Sequence, residues 1–184
     1  DTCVLDPSCG SGAFLVQCYR ALVEKRRMRG AVEPAELAAI LTGHIFGVER
    51  DRDACRVAEM SLVLALLDYT TPPDLETHPE FKLPTLSDAN IFQADFFDPD
   101  SSWAAVRGSF RADWLVGNPP WVEAKAARKE DRLALAWIQA NSEHFPTGGN
   151  QVAEAFVWHS LPLLNEGAVA GLLLPAMTLF KMES

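Results

Sequence analysis

The chain has 184 residues, 48% of them hydrophobic, with 16 Lys and Arg against 25 Asp and Glu, a formal net charge of −9. That length suits one domain with a well-buried core, and no run of about 18 apolar residues is present to span a membrane, so a soluble single-domain protein is expected. The acidic balance argues against this segment being, by itself, a strong binder of phosphate backbones.

Four cysteines (Cys3, Cys9, Cys18, Cys55) and four histidines form no metal-ligand spacing, so no metal is expected, and reduced thiols in a cytosol are favoured over disulfides. No basic region followed by an apolar core opens the sequence, so no secretory signal is visible.

Thr2 to Leu5 reads as a short buried strand, followed by Asp6-Pro7-Ser8-Cys9-Gly10-Ser11-Gly12 and a helix from Ala13 to about Met28, carried by Phe14, Leu15, Cys18 and Leu22. In such a strand, glycine turn and helix, Gly10 and Gly12 carry no Cβ, so backbone N–H groups and a helix N-terminus can approach a ligand. Glu33 to Leu41 suggests a short helix, and His44 to Val48 a second strand ending in Glu49. A carboxylate at that tip is placed to hold the ribose hydroxyls of a nucleoside cofactor; an ordinary exposed Glu is the alternative.

Asp51 to Tyr69 reads as a long helix with a core stripe of Val57, Met60, Leu64 and Leu67. Proline-rich Thr71 to Ala89 reads as a surface loop. Asn90 to Ala94 reads as the third strand, ending in Asp95-Phe96-Phe97-Asp98, which suits an adenine amine and the ring beside it, or equally a helix cap with two core phenylalanines.

Ala112 to Val116 reads as an apolar strand stopping on Gly117-Asn118-Pro119-Pro120-Trp121. Two prolines withdraw their N–H groups, so Asn118 Oδ1 and the Pro119 carbonyl are free to accept two N–H protons from a planar amine while Trp121 covers its face. A nucleobase is such a group. Asn-Pro also marks ordinary turns, and a tryptophan beside one more often packs than binds.

Val122 to Asn141 is charged and amphipathic, and Phe145 to Asn150 looks mobile, suited to a lid or DNA-contacting loop. Gln151 to Leu164 reads as a helix, Asn165-Glu166-Gly167 as a turn, and Ala168 to Leu174 as a fully apolar strand ended by Pro175. Two basic groups, Lys25-Arg26-Arg27 with Arg29 and Lys125 with Arg128 and Lys129, read as solvated helix faces or ends. Five strands alternating with helices imply an α/β fold with a mostly parallel twisted sheet and helices on both faces.

With these pieces in register, the chain resembles the N6-adenine DNA methyltransferases of the gamma motif order. Asp-Pro-Ser-Cys-Gly-Ser-Gly-Ala-Phe-Leu is similar to that family's cofactor loop, Gly47-Val48-Glu49 to its ribose motif, Ala94-Asp95-Phe96 to its adenine motif, and Asn118 to Trp121 to its catalytic Asn-Pro-Pro-aromatic tetrapeptide. Glu154-Ala155-Phe156 and Leu163 through Pro175 resemble the helix and strand that follow.

The resemblance implies a Rossmann-like class I methyltransferase fold and methyl transfer from S-adenosylmethionine to N6 of an adenine flipped out of double-stranded DNA. It implies a catalytic tetrapeptide Asn118, Pro119, Pro120 and Trp121, and a cofactor site of Asp6, Pro7, Cys9, Gly10, Gly12, Phe14, Glu49, Asp95, Phe96 and Phe156. Within that site Asp6 would take the methionine amino group and Phe156 would stack on adenine. Trp121 stands where that family most often has tyrosine or phenylalanine. Residues 1–184 are expected to be the catalytic domain of a longer enzyme, without its last strands or recognition domain. The parent would be a bacterial or archaeal cytoplasmic protein of restriction-modification or phage-defence type, gripping DNA mainly through other segments, with restriction or defence subunits as partners.

Rival functions are methyl transfer to protein glutamine or ribosomal RNA guanine, a non-catalytic cofactor-binding module of a defence complex, and a nicotinamide-dependent dehydrogenase. The last gives no reason for Asn-Pro-Pro-Trp.

Overall fold

In the computed structural model, which describes residues 2–179, five strands form one sheet: β1 (Val4–Asp6), β2 (Ile45–Glu49), β3 (Ile91–Gln93), β4 (Ala112–Gly117) and β5 (Leu164–Leu172). All pairings are parallel, in the order β3-β2-β1-β4-β5. The connections carry helices α1 (Ala13–Arg27), α2 (Pro34–His44), α3 (Arg52–Leu67), α4 (Pro72–Thr77), α5 (Ser102–Arg107), α6 (Arg132–Asn141) and α7 (Val152–Ser160). None of the described helices is long and apolar enough to cross a membrane.

Successive strand residues point to opposite faces, and the central strand is buried on both. Val4 joins a core with Leu15, Tyr19, Leu41, Leu62 and Leu66, under α1 to α3. Leu5, its neighbour, joins a second core with Phe92, Trp103, Leu115, Ile138 and Phe156, under α5 to α7. The result is helix, sheet, helix: the α/β architecture that strands alternating with helices require.

Several elements depart from the sequence-based expectation. Three of the four residues assigned to the core stripe of α3 face solvent: Val57, Met60 and Leu64 are 50%, 66% and 55% exposed, Leu67 is partly buried against the first core, and the buried face is Cys55, Ala58, Leu62, Ala65 and Leu66. Both stripes have helical spacing, and close approach selects the small one. A Cβ on Gly12 would lie 3.1 Å from Ala58 Cα, so the glycine turn packs directly on the backbone of α3.

At the C-terminal end, Asn165 to Gly167 falls within the span of β5 as an interruption of its pairing: Ala112 pairs with Leu164 and Trp114 with Val169, and Gly167 has φ 78°. Among the described residues β5 pairs with β4 alone, and Val169 is 62% exposed.

The proline-rich stretch contains α4, whose Thr71 and Asp74 form a reciprocal capping box. Ser102–Arg107, unassigned from sequence, is a helix capped by Ser101, whose Oγ accepts from Ala104 N at 3.2 Å. Phe145 to Asn150 is tethered: Gly148 N donates to Glu154 Oε2 (2.9 Å), Trp158 Nε1 to the Pro146 carbonyl (3.1 Å), and Phe145 stacks on Trp137.

Asn90 holds the junction of α2, β2 and β3. Its buried amide donates to the carbonyls of Thr42 (2.9 Å) and Ile45 (2.8 Å), where α2 ends and β2 begins. Asn90→Ala leaves those buried acceptors unpaired and should cost about 1–3 kcal/mol. Urea unfolding at unchanged m-value measures it; a loss below about 0.5 kcal/mol would show that the junction does not depend on this amide.

Candidate functional site

Strand order reverses between β1 and β4: the chain leaves β1 toward β2 and β3 on one side, then returns to β4 on the other. Helices diverge at such a switch point, leaving a crevice beyond the carboxyl ends of the strands. Each neighbouring strand delivers a polar group there. β1 ends in Asp6, β2 in Glu49, β3 runs into Asp95, and β4 stops at Gly117 just before Asn118.

Parallel pairing sets these tips side by side, with Leu5 opposite both Phe46 and Leu115. A crevice of about 520 Å³, its open mouth included, is lined among others by Pro7, Ser8, Glu49, Asp95, Phe96, Pro120 and Phe156.

Asp6 and Gly117 are in direct contact. Gly117 has φ +150°, and a Cβ there would stand 2.5 Å from Asp6 Oδ1, so only glycine admits the carboxylate between β1 and β4. Asp6 is 1% exposed. Its Oδ1 accepts from Ser8 N at 3.0 Å, while Oδ2 and the neighbouring Ser8 Oγ are buried without a hydrogen-bond partner. Burial raises the Asp6 pKa from 3.8 to about 7, the Ser8 N–H pulls it back, and the Glu49 carboxylate pushes it further up. An orphaned buried carboxylate beside an orphaned hydroxyl fits a cationic ligand that donates hydrogen bonds.

Glu49 braces the glycine turn. Its Oε2 accepts from Gly10 N (3.1 Å) and its Oε1 from Asp51 N (2.8 Å), leaving further lone pairs on both oxygens for a diol. The turn is also held by Cys9 N on the Val48 carbonyl (3.0 Å) and by Gly12 at φ 82°, which starts α1. Cys9 itself is buried, and burial pushes its thiol pKa up, so it supports the turn through backbone and packing. Of the site residues expected from sequence, Pro7, Glu49, Asp95, Phe96, Pro120 and Phe156 line the crevice, and Asp6, Cys9, Gly10, Gly12, Phe14, Asn118, Pro119 and Trp121 do not. Phe14 is 39% exposed on the first turn of α1, because Leu15 takes the inward position beside Gly47.

Asp95 accepts from Phe97 N at 2.9 Å, and burial raises its pKa against the opposing pull of that N–H and of Arg50. Phe96 is 2% exposed and stacks on Phe156, with centroids 5.1 Å apart and planes 11° apart. No base can enter between them, so any ligand ring meets what remains of Phe156. Behind them His159 is packed against Phe97 and Trp137. Its pKa is pushed down to about 4, by burial first and then by Arg107, so neutral His159 accepts from Arg107 at 2.6 Å.

The Asn-Pro-Pro-Trp tip stands open. Asn118 is exposed and its side chain makes no hydrogen bond among the described residues; Pro119 is buried and anchors the turn. Trp121 is 56% exposed, yet its Nε1 donates to the Leu173 carbonyl at 3.1 Å, and Leu173 N donates to the Gly117 carbonyl at 2.9 Å. The ring is thus oriented by its edge while a face stays free.

Among the wall residues not assigned from sequence are three charged ones, Arg50, Glu130 and Asp131. Arg50 Nη1 donates to the Glu130 carbonyl at 3.2 Å, and buried Asp131 accepts from Lys125 N at 3.0 Å, so a distant segment roofs the crevice. The only available signal was the place of Arg50 directly after the ribose-type acid.

Residues 1–158 match the family described as the MmeI DNA-methyltransferase domain. The Type II methyltransferase M.BstVI of Geobacillus stearothermophilus is 29% identical over 172 residues, covering 92% of this chain and 28% of that protein, so the chain spans under a third of this relative's length. A nuclease-deletion mutant of the Type ISP restriction-modification enzyme LlaGI, solved with a DNA substrate mimic, superposes with a TM-score of 0.67 at 15% identity, over 95% of this chain and 15% of that one. A protein of a type I restriction-modification complex gives 0.61 at 22% identity, over 98% and 29%, and the DrdV–DNA complex 0.64 at 13%, over 98% and 18%. These structures share the fold. The family match over residues 1–158 carries the assignment: the chain belongs to the MmeI-type DNA-methyltransferase domain family.

Proposed function

We propose that residues 1–184 are the catalytic domain of a longer restriction-modification enzyme of the bacterial or archaeal cytoplasm, which methylates N6 of an adenine extruded from double-stranded DNA. The observation that carries this reading is the exposed, unbonded Asn118 side chain at the β4 tip, beside an edge-anchored Trp121 and next to the orphaned carboxylate of Asp6.

Adenine N6 is a weak nucleophile because its lone pair is delocalised into the ring. Asn118 Oδ1 and the Pro119 carbonyl accept hydrogen bonds from its two N–H groups and localise that pair, without a strong base; the proton shed as the methyl group bonds to N6 leaves to solvent. Trp121 replaces the stacking lost when the base leaves the duplex. S-adenosylmethionine would supply a methyl group already activated on a sulfonium. Asp6 takes the methionine ammonium, Glu49 the ribose hydroxyls, Asp95 the adenine amine, and Phe156 contacts the adenine ring at the inner wall. Pro7, Cys9, Gly10 and Gly12 shape the turn that admits the cofactor, and Phe14 follows them on the first turn of α1.

In the full protein, Asn118→Ala should lower methyl transfer at least about 100-fold while cofactor affinity stays within about twofold. Native DNA read directly for modified adenine, with and without the gene, identifies the product; guanine or protein methylation, or activity retained by the variant, would refute the assignment.

Asp6 makes cofactor affinity depend on pH. Only the ionised carboxylate pairs with an ammonium, so affinity should fall about tenfold per unit as pH drops below about 7 and level off above it. The unliganded fold has the opposite sign: its raised acid pKa favours folding fully below 3.8, and that contribution is gone above about 7. Calorimetric titration from pH 5.5 to 8.5 tests this. Asp6→Asn should bind weakly with a flat profile, and a flat wild-type profile would remove Asp6 from the cofactor site.

A further inference from the structure

The segment that follows the tip has two sides. On the inner side Val122, Glu130, Asp131 and Ala134 wall the crevice. It is fixed there by Val152 N on the Val122 carbonyl and Ala124 N on the Asn150 carbonyl (both 2.9 Å), and by the Arg50 and Asp131 bonds described above.

On the outer side Lys125, Arg128, Lys129 and Arg132 are all exposed, four of the chain's sixteen cations within eight residues. Among the described residues no ion pair is found for any of them, whereas Arg20, Arg26, Arg27 and Arg56 on α1 and α3 each pair with a carboxylate. In a chain carrying 25 acids, this cluster is kept clear of partners. Of the two acids among them, Asp131 is turned inward, and Glu130 is the one exposed acid beside four exposed cations.

Lys129 and Arg132 also line an open groove together with Ala126, Leu133, Leu135, Ala136 and Gln139. Cations beside apolar side chains match a sugar-phosphate strand, with deoxyribose on the apolar groups and phosphates on the charges. An extruded base enters the Asn118 tip still attached to its own strand, so its flanking phosphates must lie close by.

We infer that Arg128, Lys129 and Arg132 grip the DNA backbone beside the extruded base, on the outer side of the segment whose inner side roofs the cofactor crevice. This replaces the solvated-face reading of the second basic group, and it rests on the function proposed above. It assigns to this chain a share of the DNA grip otherwise expected from segments outside it.

The test uses the full protein and measures DNA affinity against salt for R128A/K129A/R132A. The slope of log K against log salt should fall by about 2–3, roughly 0.9 for each phosphate no longer neutralised, equally on cognate and unrelated duplexes, with cofactor affinity unchanged. A control of equal charge change, K25A/R29A/K82A, lies in connections at the opposite end of the strands and should keep the wild-type slope.

A triple variant with the wild-type slope, or a control whose slope falls as much, overturns the grip while leaving the methyltransferase reading intact. Unchanged DNA slopes with abolished binding to an acidic partner subunit would also overturn it. A wild-type protein that methylates no DNA would overturn both readings together.

Discussion

The contact between Asp6 and Gly117 is the constraint on which the site depends. A carboxylate buried between the two central strands is costly, and nothing in the described structure neutralises it: one oxygen meets only the Ser8 N–H, and the other has no partner. It persists because the glycine at the β4 tip leaves room for it and because the crevice beyond is built for ligands. The same glycine aims the chain so that Asn118 leaves the sheet beside β1. One missing side chain therefore sets both halves of the site, the carboxylate that waits for a charge and the amide that projects beyond it.

Around that contact, groups assigned to binding also hold the architecture. Glu49 bonds to the N–H of Gly10 and of Asp51, so it ties the glycine turn to the start of α3. Phe156 is stacked on Phe96, which belongs to the second core through Trp103. Such double use gives rigidity, since a side chain already fixed by packing loses little freedom when a ligand arrives. It also means that truncating Glu49 or Phe156 would disturb the fold along with any binding.

Much of this was legible in the residue order. The alternation of short apolar runs with helical periods gave the parallel sheet, and the strand tips fell at Asp6, Glu49 and Gly117 as the turn chemistry required, with Asp95 just past the end of β3. What escaped was settled by distance between parts remote in sequence. The face of α3 was misjudged because bulk was taken as the mark of burial, while Gly12 lies so close that only Ala58 fits beneath it. Arg50 and Glu130 are 80 positions apart, and no local pattern announces that they meet over the crevice.

The bond from the Trp121 indole to the Leu173 carbonyl makes the attitude of the aromatic platform a property of the neighbouring strand's backbone. Phenylalanine has no donor at that position and tyrosine carries its hydroxyl elsewhere, so a six-membered ring there would take its tilt from packing alone. Choosing an indole transfers the aim of the platform from soft side-chain contacts to a peptide plane. Under the function proposed above, the angle offered to a base would be fixed before it arrives, and small shifts at the end of β5 would be transmitted directly to the place where it would lie.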